Sequence, residues 1–70
     1  MNLKSNIEEL IIKSGLRDEV FREALGVKQH QLRKIKKGES YPTVPKLFIL
    51  AKLLNCKTDD LYEVLEGDEE

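Results

Sequence analysis

Lys28, Arg33, Lys34, Lys36 and Lys37 place five positive charges within ten residues that contain no acid, a local density typical of surfaces that face phosphate. Among them stand Gln29, His30 and Gln31, whose amides and imidazole both donate and accept hydrogen bonds. Such a set suits two tasks at once: neutralising a polyanion and reading hydrogen-bonding groups on its bases. The plainer reading, a solvated helix face, weighs about equally on charge alone. Other chemistries lack their residues. Cys56 is the only cysteine and His30 the only histidine, so neither an internal disulfide nor a zinc site can be assembled. No paired carboxylates, no nucleophile with a base and no phosphate-cradling glycine loop stand in the chain, so we expect no enzyme, no metal and no cofactor. Cys56 reads as a small apolar filler.

The elements that must carry these residues read as five short helices. Ser5, Asn6, Ile7 and Glu8 form a capping-box pattern, followed by Ile7, Leu10, Ile11 and Ser14 along one face, which predicts a helix over 6–14 closed by Gly15. A second helix over 18–25 carries Val20, Phe21, Ala24 and Leu25 on one face, has Asp18 and Glu19 in its first turn, and stops at Gly26. The third, over 28–37, has Leu32 and Ile35 as its only apolar positions and is otherwise polar, so most of it should be exposed. After the loop chemistry of 38–42, Thr43 is a suitable N-cap for a strongly apolar fourth helix reaching about Leu54, with Asn55 as a left-handed stop. Thr58 then caps a fifth helix with Asp59 and Asp60 in its first turn and Leu61, Val64 and Leu65 along one face. No strand alternation competes, which makes the expected fold all-α. Residues 1–66 form one domain, and 67–70 are an acidic end expected to be disordered.

Seventy residues with 36% charged and 40% hydrophobic fit a single small domain,. Such a chain buries only about 60% of its unfolded surface, which leaves packing or association to hold it. Its net charge of −1 conceals a split, because residues 1–57 hold twelve basic and six acidic side chains, a net +6, and every later charge is acidic. The longest run of large apolar side chains, 47–50, is far from the ~20 residues of a membrane span, and no signal peptide opens the chain. A cytoplasmic protein without membrane contact is expected.

Two short helices joined by a glycine-containing turn, the second held by a thin apolar seam, are what a helix-turn-helix requires. Gly15-Leu16, Leu25-Gly26-Val27, the run from Leu32 to Pro42, the Leu50-Ala51-Lys52-Leu53-Leu54-Asn55 segment and Asp59-Asp60-Leu61 resemble, in order and spacing, the Cro and phage-repressor type (XRE-like) helix-turn-helix family over about 6–65. The resemblance implies a compact five-helix, lambda-repressor-like domain that binds double-stranded DNA, usually as a homodimer, to regulate phage or bacterial genes, with the helix-turn-helix at about 18–37. Carried over by position, base reading falls on Gln29, His30 and Lys34, with Arg33 beside them. Phosphate contact falls on Lys28, Lys37 and, through its backbone N–H, Gly38, with Lys36 adding charge.

Three positions depart from the family's pattern. Arg17 and Asp18 replace its usual Ser or Thr cap and Gln, and a carboxylate there would repel phosphate, so Arg17 substitutes or the contact is missing. Lys28 replaces a capping Ser or Thr at a cost of roughly 1 kcal/mol while adding a cation. Arg22 replaces a small buried residue, implying a looser helix crossing or a stem that snorkels outward. Tyr41 either packs under its loop or reaches a phosphate. Leu61, Tyr62, Val64 and Leu65 are more apolar surface than one short helix needs, which suggests a dimer surface, although the same side chains also suit the core.

The function expected is a DNA-binding transcriptional regulator, a repressor in the first instance. The alternatives are a protein-interaction module on the same fold, an antirepressor or co-regulator gripping its partner through the last helix or acidic tail, and an antitoxin-type autoregulator.

Overall fold

A computed structural model describes residues 2–65, and the acidic end read at 67–70 lies outside them. In chain order the elements are β1 (Asn2–Ser5), α1 (Ile7–Ser14), α2 (Asp18–Leu25), α3 (Gln29–Lys37), α4 (Val44–Leu53), a single 3-10 turn (Thr58–Asp60) and β2 (Tyr62–Leu65). Four helices therefore lie where apolar periodicity placed them. Asn55 takes the left-handed conformation, at φ 55°, that closes the α4 end.

The core forms where the apolar stripes meet. Ile7 and Ile11 of α1, Phe21 and Leu25 of α2, Leu32 and Ile35 of α3, and Leu50 and Ala51 of α4 are all buried, and Leu61 joins them from beyond the 3-10 turn. No polar or charged residue is buried among the described residues, so packing alone holds this centre. Among the described residues no helix is long and apolar enough to cross a membrane.

The fifth helix is corrected by the structure, and with it the all-α class. The chain makes one 3-10 turn after Lys57 and then runs extended, pairing antiparallel with β1: Asn2 faces Leu65, Leu3 faces Val64, Lys4 faces Glu63 and Ser5 faces Tyr62. Asn6 N–H donates to Leu61 O at 2.9 Å and its side-chain amide to Asp60 O at 3.3 Å, which fastens the two ends of the chain where the ladder starts. The physical reason is non-local. Tyr62 and Val64 favour extended backbone, and a strand forms there because 2–5, over fifty residues away in sequence, supplies its hydrogen-bond partner. The Lys4 and Glu63 pair adds opposite charges directly across the ladder.

Ser5 is corrected as well. It makes no capping box with Glu8. It belongs to β1, where its hydroxyl accepts from Ile7 N–H at 3.3 Å and donates to Lys36 O at 3.1 Å. The strand thus covers the C-terminal end of α3, whose last carbonyls need partners. Gly38 sits at that junction with φ +81°, and an added Cβ would stand 3.2 Å from Ser5 Cβ. Gly38→Ala is accordingly expected to destabilise the fold by about 1–2 kcal/mol through its left-handed backbone alone, read as a lowered thermal midpoint. An unchanged midpoint would show that neither the left-handed backbone at position 38 nor the closeness of Ser5 requires glycine there.

Candidate nucleic-acid interface

The surface begins at the connection between α2 and α3. Gly26 ends α2 in the left-handed region, at φ 68°, and Val27 packs against the core while its N–H donates to Arg22 O at 3.0 Å. With Lys28 in extended conformation as N-cap, α3 starts at a set angle to α2. Leu32 and Ile35, 0% and 4% exposed, then hold one side of α3 to the core. His30, Arg33, Lys34 and Lys37 fall at i, i+3, i+4 and i+7, a single stripe, and all four are exposed. The structure therefore brings three of the four proposed base-reading residues and one phosphate candidate onto one outward face.

The remaining candidates divide. Arg17 and Lys28 are exposed at the N-caps of α2 and α3, and Gln31 Oε1 accepts from Lys28 N–H at 2.8 Å, the reciprocal half of a capping box, while no side chain at position 28 caps the first turn,. Gly38 N–H donates within its own helix end, to Ile35 O at 3.2 Å. Gln29 and Lys36 are half-buried and both turn toward α2. Gln29 Nε2 donates to Asp18 Oδ2 at 3.0 Å, and Lys36 Nζ lies 3.1 Å from the same oxygen. The Gln29 hydrogen bond first, opposed by partial burial and then assisted by the Lys36 ammonium and by Arg22, holds the Asp18 carboxyl below its ordinary value. The carboxylate is thus already partnered within the protein. Arg22 is half-buried, and its Nε is enclosed without a hydrogen-bond partner.

Lys46 stands nine residues beyond the dense charge run of 28–37, so charge density does not mark it in sequence. It lines a groove beside α3 together with His30, Lys34, Tyr41 and Thr43. The nearest sequence signal is the acid-free first turn of α4; Thr43 stands at its N-cap as the sequence suggests but makes no side-chain cap bond. Tyr41, 57% exposed, stacks obliquely on Tyr62, with ring centroids 5.4 Å apart and planes at 57°. That contact ties the loop after α3 to β2. Burial first, and then Tyr41, push the Tyr62 phenol up.

The residues read as a dimer surface are separated by the same strand. Leu61 is wholly buried and Tyr62 half-buried, whereas Val64 and Leu65 are 57% and 43% exposed. Cys56 packs against the core, and burial followed by Asp60 raises its thiol, which suits a filler.

A family model described as helix-turn-helix matches residues 7–61, a span that holds all four helices and leaves both strands outside. No curated protein matches the chain.

Proposed function

Since this chain belongs to the Cro and phage-repressor type (XRE-like) helix-turn-helix family, we propose that it is a sequence-specific regulator of transcription that lays α3 in the major groove of double-stranded DNA. The observation that carries this is the exposed stripe of His30, Arg33, Lys34 and Lys37 opposite the buried Leu32 and Ile35. A groove about 12 Å wide admits one helix, and the outward side chains of that helix then meet base edges while flanking cations meet phosphates. In this reading Gln29, His30, Arg33 and Lys34 read bases. Arg17, Lys28 and Lys37 attract the backbone, while the Lys36 ammonium is paired with Asp18. Repression follows where the bound site overlaps a promoter. Two copies joined through Val64, Leu65 and the neighbouring Leu3, all exposed, would present two such helices to half-sites about 34 Å apart on a near-palindromic operator.

Binding of the purified protein to a pool of random duplexes, at low and physiological salt, followed by sequencing of the bound fraction, tests this directly. Enrichment of a motif is expected, and attraction that vanishes with salt and selects nothing contradicts it. Once a motif is known, Lys34→Ala should relax preference at one base pair at a cost of about 1–3 kcal/mol, whereas Lys37→Ala should weaken all sequences alike and reduce the salt slope by about one. Equal losses on specific and random DNA in both variants would contradict the division of labour.

One observation favours a second reading, in which the fold acts by gripping another protein. On α4, Val44 and Phe48 are 63% and 61% exposed, large apolar side chains of the sort that mark protein contacts.

A further inference from the structure

The groove between α3 and the start of α4 gathers cations that nothing in the protein offsets. His30 and Lys34 line it from α3 and Lys46 from the first turn of α4, and no carboxylate among the described residues lines it. Lys36 differs, since Asp18 pairs with it. Thr43 also lines the groove, at the N-cap of α4, and makes no side-chain cap bond, so the positive end of that helix is open to an acceptor. The remaining walls differ in kind. Val27, Ile35 and Pro42 are apolar, and beside them the Tyr41 ring is 57% exposed. The space amounts to about 340 Å³, within the range of small-molecule sites, which combine an apolar lining with a few polar groups of this sort.

We propose that this groove binds a small organic phosphate whose ring or hydrocarbon body rests on the apolar walls, and that its occupancy displaces DNA. A phosphate group carries nearly two negative charges and three acceptor oxygens, enough for two ammonium groups, an imidazole and a helix N-terminus to share. The DNA backbone offers the same phosphate oxygens. It needs only the cations, however, whereas the apolar walls favour a ligand that has apolar surface of its own to bury. His30 and Lys34 belong to the outward stripe of α3. An anion held between them and Lys46 therefore occupies two of the side chains that read bases in the function proposed above, and ligand and DNA exclude one another. The site itself stands without DNA, and only this exclusion rests on that reading. The effector site then lies within the DNA-binding face.

Titration of the isotopically labelled full chain with phenyl phosphate, inorganic phosphate and phenol, at constant ionic strength and followed by two-dimensional NMR, tests the site. Phenyl phosphate should shift the amide signals of His30, Lys34, Thr43 and Lys46 and saturate with a dissociation constant of about 1 mM. Inorganic phosphate should bind at least about threefold more weakly, and phenol should give no saturable shifts. Lys46→Ala should weaken phenyl phosphate about tenfold, the loss expected for a hydrogen bond to a charged group. Lys52→Ala, on the same helix but outside the groove, should leave it unchanged. Should Lys46→Ala fail to fold, Lys34→Ala is measured in its place. No saturation below about 10 mM, shifts spread over the other cationic surfaces, equal affinity for the two phosphates, or equal loss in the Lys46 and Lys52 variants overturns the proposal. So does a groove that serves only the DNA backbone, where Lys46→Ala weakens duplex binding while no small probe binds. Displacement is measured separately by fluorescence anisotropy. Phenyl phosphate at about ten times its dissociation constant should weaken DNA binding at least about tenfold, and DNA should weaken phenyl phosphate in return. Simultaneous binding without mutual effect overturns the displacement. Selection of no motif from random duplexes would overturn the DNA-binding reading and the displacement with it, while the NMR titration still decides whether the groove takes a phosphate.

Discussion

Leu32→Ala is expected to cost about 2–5 kcal/mol of stability, as much as a single core of this size supplies in total, roughly 3–5 kcal/mol. Leu32 is wholly buried and belongs to α3, the helix that carries the candidate stripe. The cavity it would leave lies among Phe21, Leu25, Ile35 and the other core side chains. Surrounding helices can collapse into that space only by shifting the angle of α3 against α2. Urea unfolding followed by circular dichroism should show a midpoint near zero denaturant, and DNA binding should fall with the folded fraction. Lys34→Ala is the control, because an exposed substitution on the same helix should change stability by no more than about 0.5 kcal/mol. A Leu32→Ala protein as stable as the wild type would mean that α3 is not anchored through this side chain.

The second large effect is the dependence of DNA affinity on salt. Lys28 and Lys37 are exposed cations at the two ends of α3 and Arg17 is exposed at the N-cap of α2, whereas Lys36 is paired with Asp18. Three phosphate contacts in each of two protomers give a slope of log affinity against log salt of about −5, or roughly a thousandfold loss between about 50 and 200 mM. A single bound protomer gives about half that slope. Titrations by fluorescence anisotropy across this range distinguish the two. A slope near zero would contradict the electrostatic half of the interface, and a slope near −3 would contradict dimeric binding.

Much of the helical part of this protein was legible in sequence because its signals are local. Gly15, Gly26 and Gly38 stop helices where periodicity ends, and Leu32 with Ile35 identify the buried seam of α3. The outward stripe follows from that seam, since side chains at i, i+3, i+4 and i+7 share a face whatever the rest of the fold does. The last segment was not legible in this way. Leu61, Tyr62, Val64 and Leu65 suit a short helix face as well as a strand, and nothing within 58–65 decides between them. The Ser5 to Glu8 pattern misleads for the same reason: a capping-box signature presumes that Ser5 is free to cap, and here its hydroxyl is held between Ile7 N–H and Lys36 O.

The candidate site shows the same division at the level of single side chains. Sequence placed a carboxylate at position 18 and a row of cations along α3, and by itself determined the charge, the hydrogen-bonding groups and the helix that displays them. Only the tertiary structure decided which of those groups face one another: that Lys36 and Gln29 turn to Asp18 while His30, Arg33, Lys34 and Lys37 face outward, that Gln31 accepts from the Lys28 N–H, and that 2–5 and 62–65 meet as strands. Helix stops and faces depend on residues within a few positions of one another. A carboxylate on one helix that meets an amide eleven residues on and an ammonium eighteen residues on, or a strand that needs its partner from the opposite terminus, depends on how the helices cross and close the core, and that geometry exists only once all of them have packed.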